Sequence, residues 1–331
     1  MPFRGEPAAQ STRRGVQLTD RAAMKAEATA DLRTNITKQI VGLATQFAFN
    51  DSIPLPALRK VIDQMRFLAR PPQGCELQTG HVGHIAYDFW TPPQFEPGRL
   101  LLYSHGGGYI MFSHRTHRGL AARLAEEFAA QAIVHDYRLA PEHRFPAAID
   151  DALSVYRHVL EQGYDPAKII LAGDSAGGGI TFALMLAARD AGLPLPGLAI
   201  GISPWVDMTA SGQSMRENAD KDVMLKPSDI EAFREKYLAD GDTKHPYASP
   251  LFADLKGLPP VMLQAAGDEI LRDDSVRMAA ALRDARVAVE LDVSPGLFHV
   301  FEFAWRWLPQ SNGAIVRMGD FVRRHFSLRK A

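Results

Sequence analysis

The chain has 331 residues, 46% of them hydrophobic and 23% charged, which is a globular composition with enough apolar residues to build a full core. Its 37 basic and 38 acidic residues leave a net charge of -1, which excludes a strongly basic chain and gives no sign of a nucleic-acid footprint or an anionic-membrane surface. Cys75 is the single cysteine, so no internal disulfide can form, and it is expected to be an inert small hydrophobe in a reducing compartment.

Residues 1 to about 20 are polar, and no apolar stretch follows Arg13-Arg14, so no leader is expected. No stretch approaches the roughly 18 apolar residues of a membrane span, and the expected location is the cytoplasm. From Asp20 the pattern turns helical. Leu32, Ile36, Ile40, Leu43 and Phe47 recur at spacings of three and four, and a second amphipathic stretch carries Leu58, Val61, Ile62, Met65 and Leu68. Both are expected to be packed helices.

After Pro71-Pro72 the spacing predicts strands over 76–80 and 84–90, with Val82-Gly83 between them. Strands and helices then alternate. Strands are expected at 100–104, 132–137, 169–172, 198–202, 261–265 and 289–293. Helices are expected at 116–130, 146–160, after Gly178, and at 275–286 and 313–325. Alternation of this kind implies an α/β fold, a mostly parallel twisted sheet with helices on both faces. Residues 205–250 break the rhythm: they hold a helical run at 228–238 and no strand, and they are too long for a plain connection. The chain therefore divides into N-terminal helices (1–70), an α/β core in two parts (71–204 and 251–331), and an insertion (205–250) that reads as a lid packing with the N-terminal helices.

Gly173-Asp174-Ser175-Ala176-Gly177 lies between the apolar run 169–172 and the following helix. A serine flanked by glycines at a strand-to-helix junction is the nucleophile-elbow pattern of α/β-hydrolases, in which the chain turns sharply and needs small neighbours. His105-Gly106-Gly107-Gly108 follows the strand at 100–104. Glycines there let backbone N–H groups approach a developing oxyanion, and Gly107, Gly108 and Ala176 are the candidate donors. His105 is expected to anchor that loop.

Chain order in such sites is Ser, acid, His. His299 and His325 are the histidines that follow a suitable acid. His299 lies in the loop after the last strand, and His325 lies in a basic terminal helix, so His299 is the candidate base. For the acid, Gly267-Asp268-Glu269 ends the strand at 261–265. Asp268 comes first and is the candidate, with Glu269 its nearest rival, while Asp273 and Asp274 read as helix N-terminal residues. Tyr109, Trp205 and Met208 are candidate substrate-binding residues. Met111, Phe112, Phe47 and Phe49 are further pocket candidates. Tyr137, Arg138 and Glu142 are read as a buttress of the oxyanion loop.

The HGGG loop at 105–108, the segment Asp136-Tyr137-Arg138-Leu139-Ala140-Pro141-Glu142, GDSAGG at 173–178, GDEILRDD at 267–274 and the FHVF turn at 298–301 together resemble the hormone-sensitive-lipase-like family of bacterial esterases. The resemblance runs from about residue 70 to the C-terminus. It implies a helical cap over an α/β-hydrolase core, with a serine carboxylesterase acting on short- to medium-chain acyl esters or lactones. The acid motif departs from the family's commoner Asp-Pro-Leu form, and Val300 stands where Gly is frequent. The resemblance implies a small-molecule ester or lactone as partner and no cofactor or metal, and the fold admits an edge-strand homodimer. An amidase or peptidase with the same triad stays open. A non-catalytic receptor on this fold is disfavoured, because such a protein is expected to have lost triad members.

Overall fold

The computed structural model describes residues 31–46, 53–64, 67 and 69–328. Helices α1 (31–46) and α2 (Leu55–Gln64) come first. Strands β1 (Glu76–Val82) and β2 (Ile85–Thr91) form a hairpin, followed by β3 (Leu100–Ser104), α3 (His114–Glu127), β4 (Gln131–His135) and α4 (Ala147–Glu161). Then come β5 (Ile169–Asp174), α5 (Ala176–Asp190), β6 (Leu198–Ile202), α6 (Ser214–Glu217) and α7 (Pro227–Leu238). The chain ends with β7 (Val261–Ala266), α8 (Arg272–Asp284), β8 (Val289–Ser294) and α9 (Pro309–Leu328).

All eight expected strands form and join one sheet in the order β1-β2-β4-β3-β5-β6-β7-β8. The β1–β2 and β2–β4 pairs are antiparallel and the rest are parallel. The central strands β3, β5, β6 and β7 are buried at every position and mostly apolar because helices cover both faces. Leu100 and Leu102 face a core built with α4, α5 and α8, while Leu101 and Tyr103 face a second core built with α3 and α9. The strand-period alternation of side chains makes this two-sided division.

Local chemistry moves several boundaries. α3 starts at His114 because Ser113 caps it: its hydroxyl accepts from Arg115 N–H, while Ser113 N–H donates to the Thr116 hydroxyl. The hairpin turn falls at Gly83-His84, where Gly83 takes φ +58°, one residue beyond the expected place.

The first helix forms, but its apolar stripe does not pack as expected. Leu32, Ile36, Ile40 and Leu43 are exposed, and Thr34 is the buried residue of that helix. The face turned toward the protein is held by polar contacts: Lys38 pairs with Asp268, and Thr45 Oγ1 donates to Val223 O at 3.2 Å. In α2, Leu58 and Ile62 are buried as the spacing predicts, and Val61 is exposed. Phe47, Phe49, Met65 and Leu68 lie outside the described residues.

Candidate active site

The loops after β3, β5, β7 and β8 converge at the C-terminal edge of the parallel strands, where open α/β sheets place their sites. Ser175 sits between β5 and α5 at φ 54°, ψ -121°, a backbone region costly for a residue with a side chain. The turn closes because its neighbours are glycines: a Cβ on Gly177 would collide with the carbonyls of Ser104 and His105, and one on Gly173 with the Gly177 carbonyl. Ser175 N–H donates to Ile202 O and Ser175 O accepts from Trp205 N–H, both at 2.9 Å, so the strained residue is held from both sides.

Ser175 and His299 line one cavity of about 380 Å³. His299 is 3% exposed, and its Nδ1 lies 2.6 Å from Glu269 Oε2. Glu269 is fully buried, and its other oxygen accepts from Ala266 N–H at 2.9 Å. Burial pushes the imidazole pKa down. The bond to Glu269 and the charges of Glu269, Asp222 and Asp174 outweigh that and hold it above its ordinary value. The residue facing His299 is therefore Glu269 and not Asp268. Asp268 turns away toward α1, where its Oδ2 meets Lys38 Nζ at 2.8 Å. Adjacent carboxylates on this turn point to opposite sides, and the longer one reaches the imidazole.

The acid loop is clamped by the 205–250 segment. Asn218 Nδ2 donates to Gly267 O and Glu269 O, and Asp222 Oδ2 accepts from Ile270 N–H. Asp274 accepts from the N–H groups of Val206 and Asp207. His325 lies in the last turn of α9 against Phe326, away from the cavity.

The glycine loop is equally fixed. Tyr137 OH donates to His105 O at 2.8 Å, and the His105 ring stacks on Tyr137 at 4.2 Å. Burial, with His117 adding to it, drives the His105 pKa down to about 3, so its ring is neutral near pH 7. Gly106 N–H is shared by Asp174 Oδ1 and His117 Nε2. Gly107 and Gly108 take φ +112° and +60°, and both face the cavity. Neither Gly107 N–H nor Gly108 N–H meets an acceptor among the described residues. Behind the loop, Arg59 of α2 donates to Ile110 O and Ala140 O and forms a two-point pair with Glu142, while Arg138 pairs with Asp151. The Tyr137, Arg138 and Glu142 segment is a brace.

Of the three substrate-binding candidates, Trp205 lines the cavity. Tyr109 and Met208 do not. The Tyr109 ring stacks on Tyr237 at 3.8 Å inside the core, and Met208 is fully buried with its N–H held by Ser249 Oγ. Phe112 lines the cavity, whereas Met111 is core. The apolar walls that sequence reasoning missed are Ile230 and Phe233 of α7, Val41 and Ala44 of α1, and Phe298 and Phe303 beside His299. The spacing of three between Ile230 and Phe233 was the available signal for one helix face.

Residues 101–303 match a family model described as alpha/beta hydrolase fold. The chain is 41% identical to an acetyl-hydrolase of Streptomyces hygroscopicus over 73% of this chain and 81% of the relative. Its structure superposes on a crystal structure of an esterase/lipase from an uncultured bacterium with a TM-score of 0.83 at 38% identity, covering 89% of this chain and 99% of that one. A crystal structure of an esterase from the bacterial hormone-sensitive lipase family gives a TM-score of 0.82 at 34% identity, covering 87% and 97%. Among the described residues no helix is long and apolar enough to cross a membrane. A strained serine elbow, a glycine loop with free N–H groups and a buried Glu–His pair around one cavity accord with these likenesses: the chain belongs to the alpha/beta-hydrolase family, among the hormone-sensitive-lipase-like bacterial esterases.

Proposed function

We infer that the protein is a serine carboxylesterase that hydrolyses small acyl esters through an acyl-enzyme. The observation that carries the reading is the 2.6 Å contact of His299 Nδ1 with Glu269 Oε2 on the wall of the cavity that holds Ser175. In this reading Ser175 Oγ attacks the acyl carbon and His299 Nε2 takes its proton. Glu269 holds the imidazole tautomer and stabilises the imidazolium. The N–H groups of Gly107, Gly108 and Ala176 bind the oxyanion, and His299 returns the proton to the leaving alkoxide. Water attacks the acyl-enzyme by the same route in reverse roles. The helices before residue 71 and the 205–250 segment act as a cap whose α1 and α7 side chains shape the acyl environment. The name of the acetyl-hydrolase relative supports short acyl groups as substrates, and lactones present the same ester carbonyl.

Hydrolysis of p-nitrophenyl acetate and butyrate tests this. The wild-type protein is expected to turn over both, and Ser175→Ala to lose on the order of a million-fold in kcat. Normal turnover in Ser175→Ala would overturn the assignment.

A further inference from the structure

The 205–250 segment reaches the reacting groups through one buried carboxylate. Asp222 is 1% exposed, and three backbone N–H groups donate to it. Its Oδ1 accepts from Met224 at 2.8 Å and from Leu225 at 3.0 Å. Its Oδ2 accepts from Ile270 at 2.9 Å, 48 residues further along the chain. The first oxygen closes a local turn, whereas the second crosses to the loop after β7.

Each oxygen holds a different part of the site. Met224 and Leu225 line the cavity with Ser175 and His299, and Met224 packs against the cluster of Leu297, Phe298 and Phe301. Ile270 follows Glu269, so the bond to its N–H fixes the backbone that carries the carboxylate facing His299. Asn218 is fully buried and completes the grip, its Nδ2 donating to Gly267 O at 3.0 Å and to Glu269 O at 2.9 Å. No Lys or Arg side chain bonds to the Asp222 carboxylate among the described residues. The cations around it are engaged elsewhere: Lys226 Nζ donates to the carbonyls of Ala219 and Asp222, Lys221 Nζ to Asn218 Oδ1, and Lys38 Nζ to Asp268. Burial pushes the Asp222 carboxyl up, and His299 and the three N–H donors oppose that. In return its charge supports the imidazolium, after Glu269 and ahead of Asp174, while Glu302 close by is pushed up to about 8. A buried carboxylate with no cation is costly, and this one sits where its negative charge acts on the base.

We propose that Asp222 and Asn218 are positioning residues for the esterase reaction, through which the insertion sets the Glu269–His299 contact, with Asp222 also holding the cavity wall at Met224 and Leu225. The proposal rests on the esterase reading and deepens it: the segment that shapes the cavity also aligns the charge relay behind Ser175. Asn218 acts on the Glu269 loop alone. Asp222 acts on that loop, on the wall and, by its charge, on the imidazole.

The test is steady-state kinetics on p-nitrophenyl butyrate across pH, with thermal melts, for Asp222→Asn, Asn218→Ala and the control Asp220→Asn, which removes an exposed charge from the same turn. Asp222→Asn should lower kcat by about tenfold or more, raise KM, and move the acid limb of kcat/KM down by about half a pH unit. Asn218→Ala should lower kcat several-fold with KM near that of wild type, and Asp220→Asn should match wild type. A residue that only stabilises the fold would lower Tm and leave kcat and the acid limb in place. Unchanged kcat and acid limb in Asp222→Asn, or the same changes in Asp220→Asn, overturn the proposal alone. Where Asp222→Asn does not fold, Asn218→Ala carries the test, and a kcat within about twofold of wild type overturns the proposal. A wild-type protein inert on every ester overturns the esterase reading and the proposal with it.

Discussion

Glu269 Oε2 sits 2.6 Å from His299 Nδ1, both side chains buried, while the neighbouring Asp268 holds Lys38 at 2.8 Å on the other side of the same turn. The two carboxylates thus have separate duties, and substitution separates them. Glu269→Gln should lower kcat by roughly 10⁴-fold, as loss of the orienting acid does in serine hydrolases generally. Asp268→Asn breaks a part-buried ion pair that makes no contact with His299, and should leave kcat within about fivefold of wild type. Steady-state kinetics on p-nitrophenyl butyrate with both variants checks this; equal losses would contradict it.

The pH profile follows from the same contact. Protonated His299 cannot accept the Ser175 proton, so kcat/KM falls as pH drops through the imidazole pKa. That pKa is raised because Glu269, Asp222 and Asp174 outweigh burial, so the acid limb should lie above pH 6.5. In Glu269→Gln, residual activity should show the limb at lower pH, since the strongest support for the imidazolium is gone. The kcat/KM profiles of the two proteins measure the shift.

Glu302 makes stability depend on pH in the other direction. It is fully buried three residues after His299, and its pKa is raised from 4.5 to about 8 by burial, then by Glu269, Asp174 and Asp292. The native state keeps a proton that the unfolded chain has lost, so this group's contribution weakens as pH rises from about 4.5 to about 8. Glu302→Gln should remove that component, raising Tm relative to wild type at pH 8 to 9 more than at pH 5. Thermal melts across pH read the difference.

The glycine loop predicts a steric loss. A Cβ on Gly107 would collide with Met111 O and lie 2.7 Å from Phe112 Cδ2, at a φ of +112° that side chains rarely adopt. Gly107→Ala should move its N–H off the oxyanion position and lower kcat by about 10² to 10³-fold. Circular dichroism should show the fold retained.

The core was legible because the central strands are buried on both faces and carry continuous apolar runs, and because elbow glycines can be recognised by spacing. The carboxylate that meets His299 was legible only to within one residue. Asp268 and Glu269 follow the same strand, and what separates them is the direction of each side chain, fixed by Lys38 far back in the chain and by Asn218 and Asp222 in the 205–250 segment. The orientation of α1 was hidden for a related reason. Its apolar stripe predicts an inward face, yet Lys38 and Thr45 turn the polar side toward the site and leave Leu32, Ile36, Ile40 and Leu43 in solvent. Tyr109 and Met208 have the chemistry of pocket walls, and only the packing of α7 and Ser249 shows them to be core.

The central claim, that Ser175 is a nucleophile activated by His299, is tested most directly by covalent labelling. An organophosphate should abolish esterase activity at one equivalent per chain and add its mass to the peptide containing Ser175, with no addition in Ser175→Ala. An intact, unlabelled Ser175 peptide in inactivated protein, or a label elsewhere, would contradict the account.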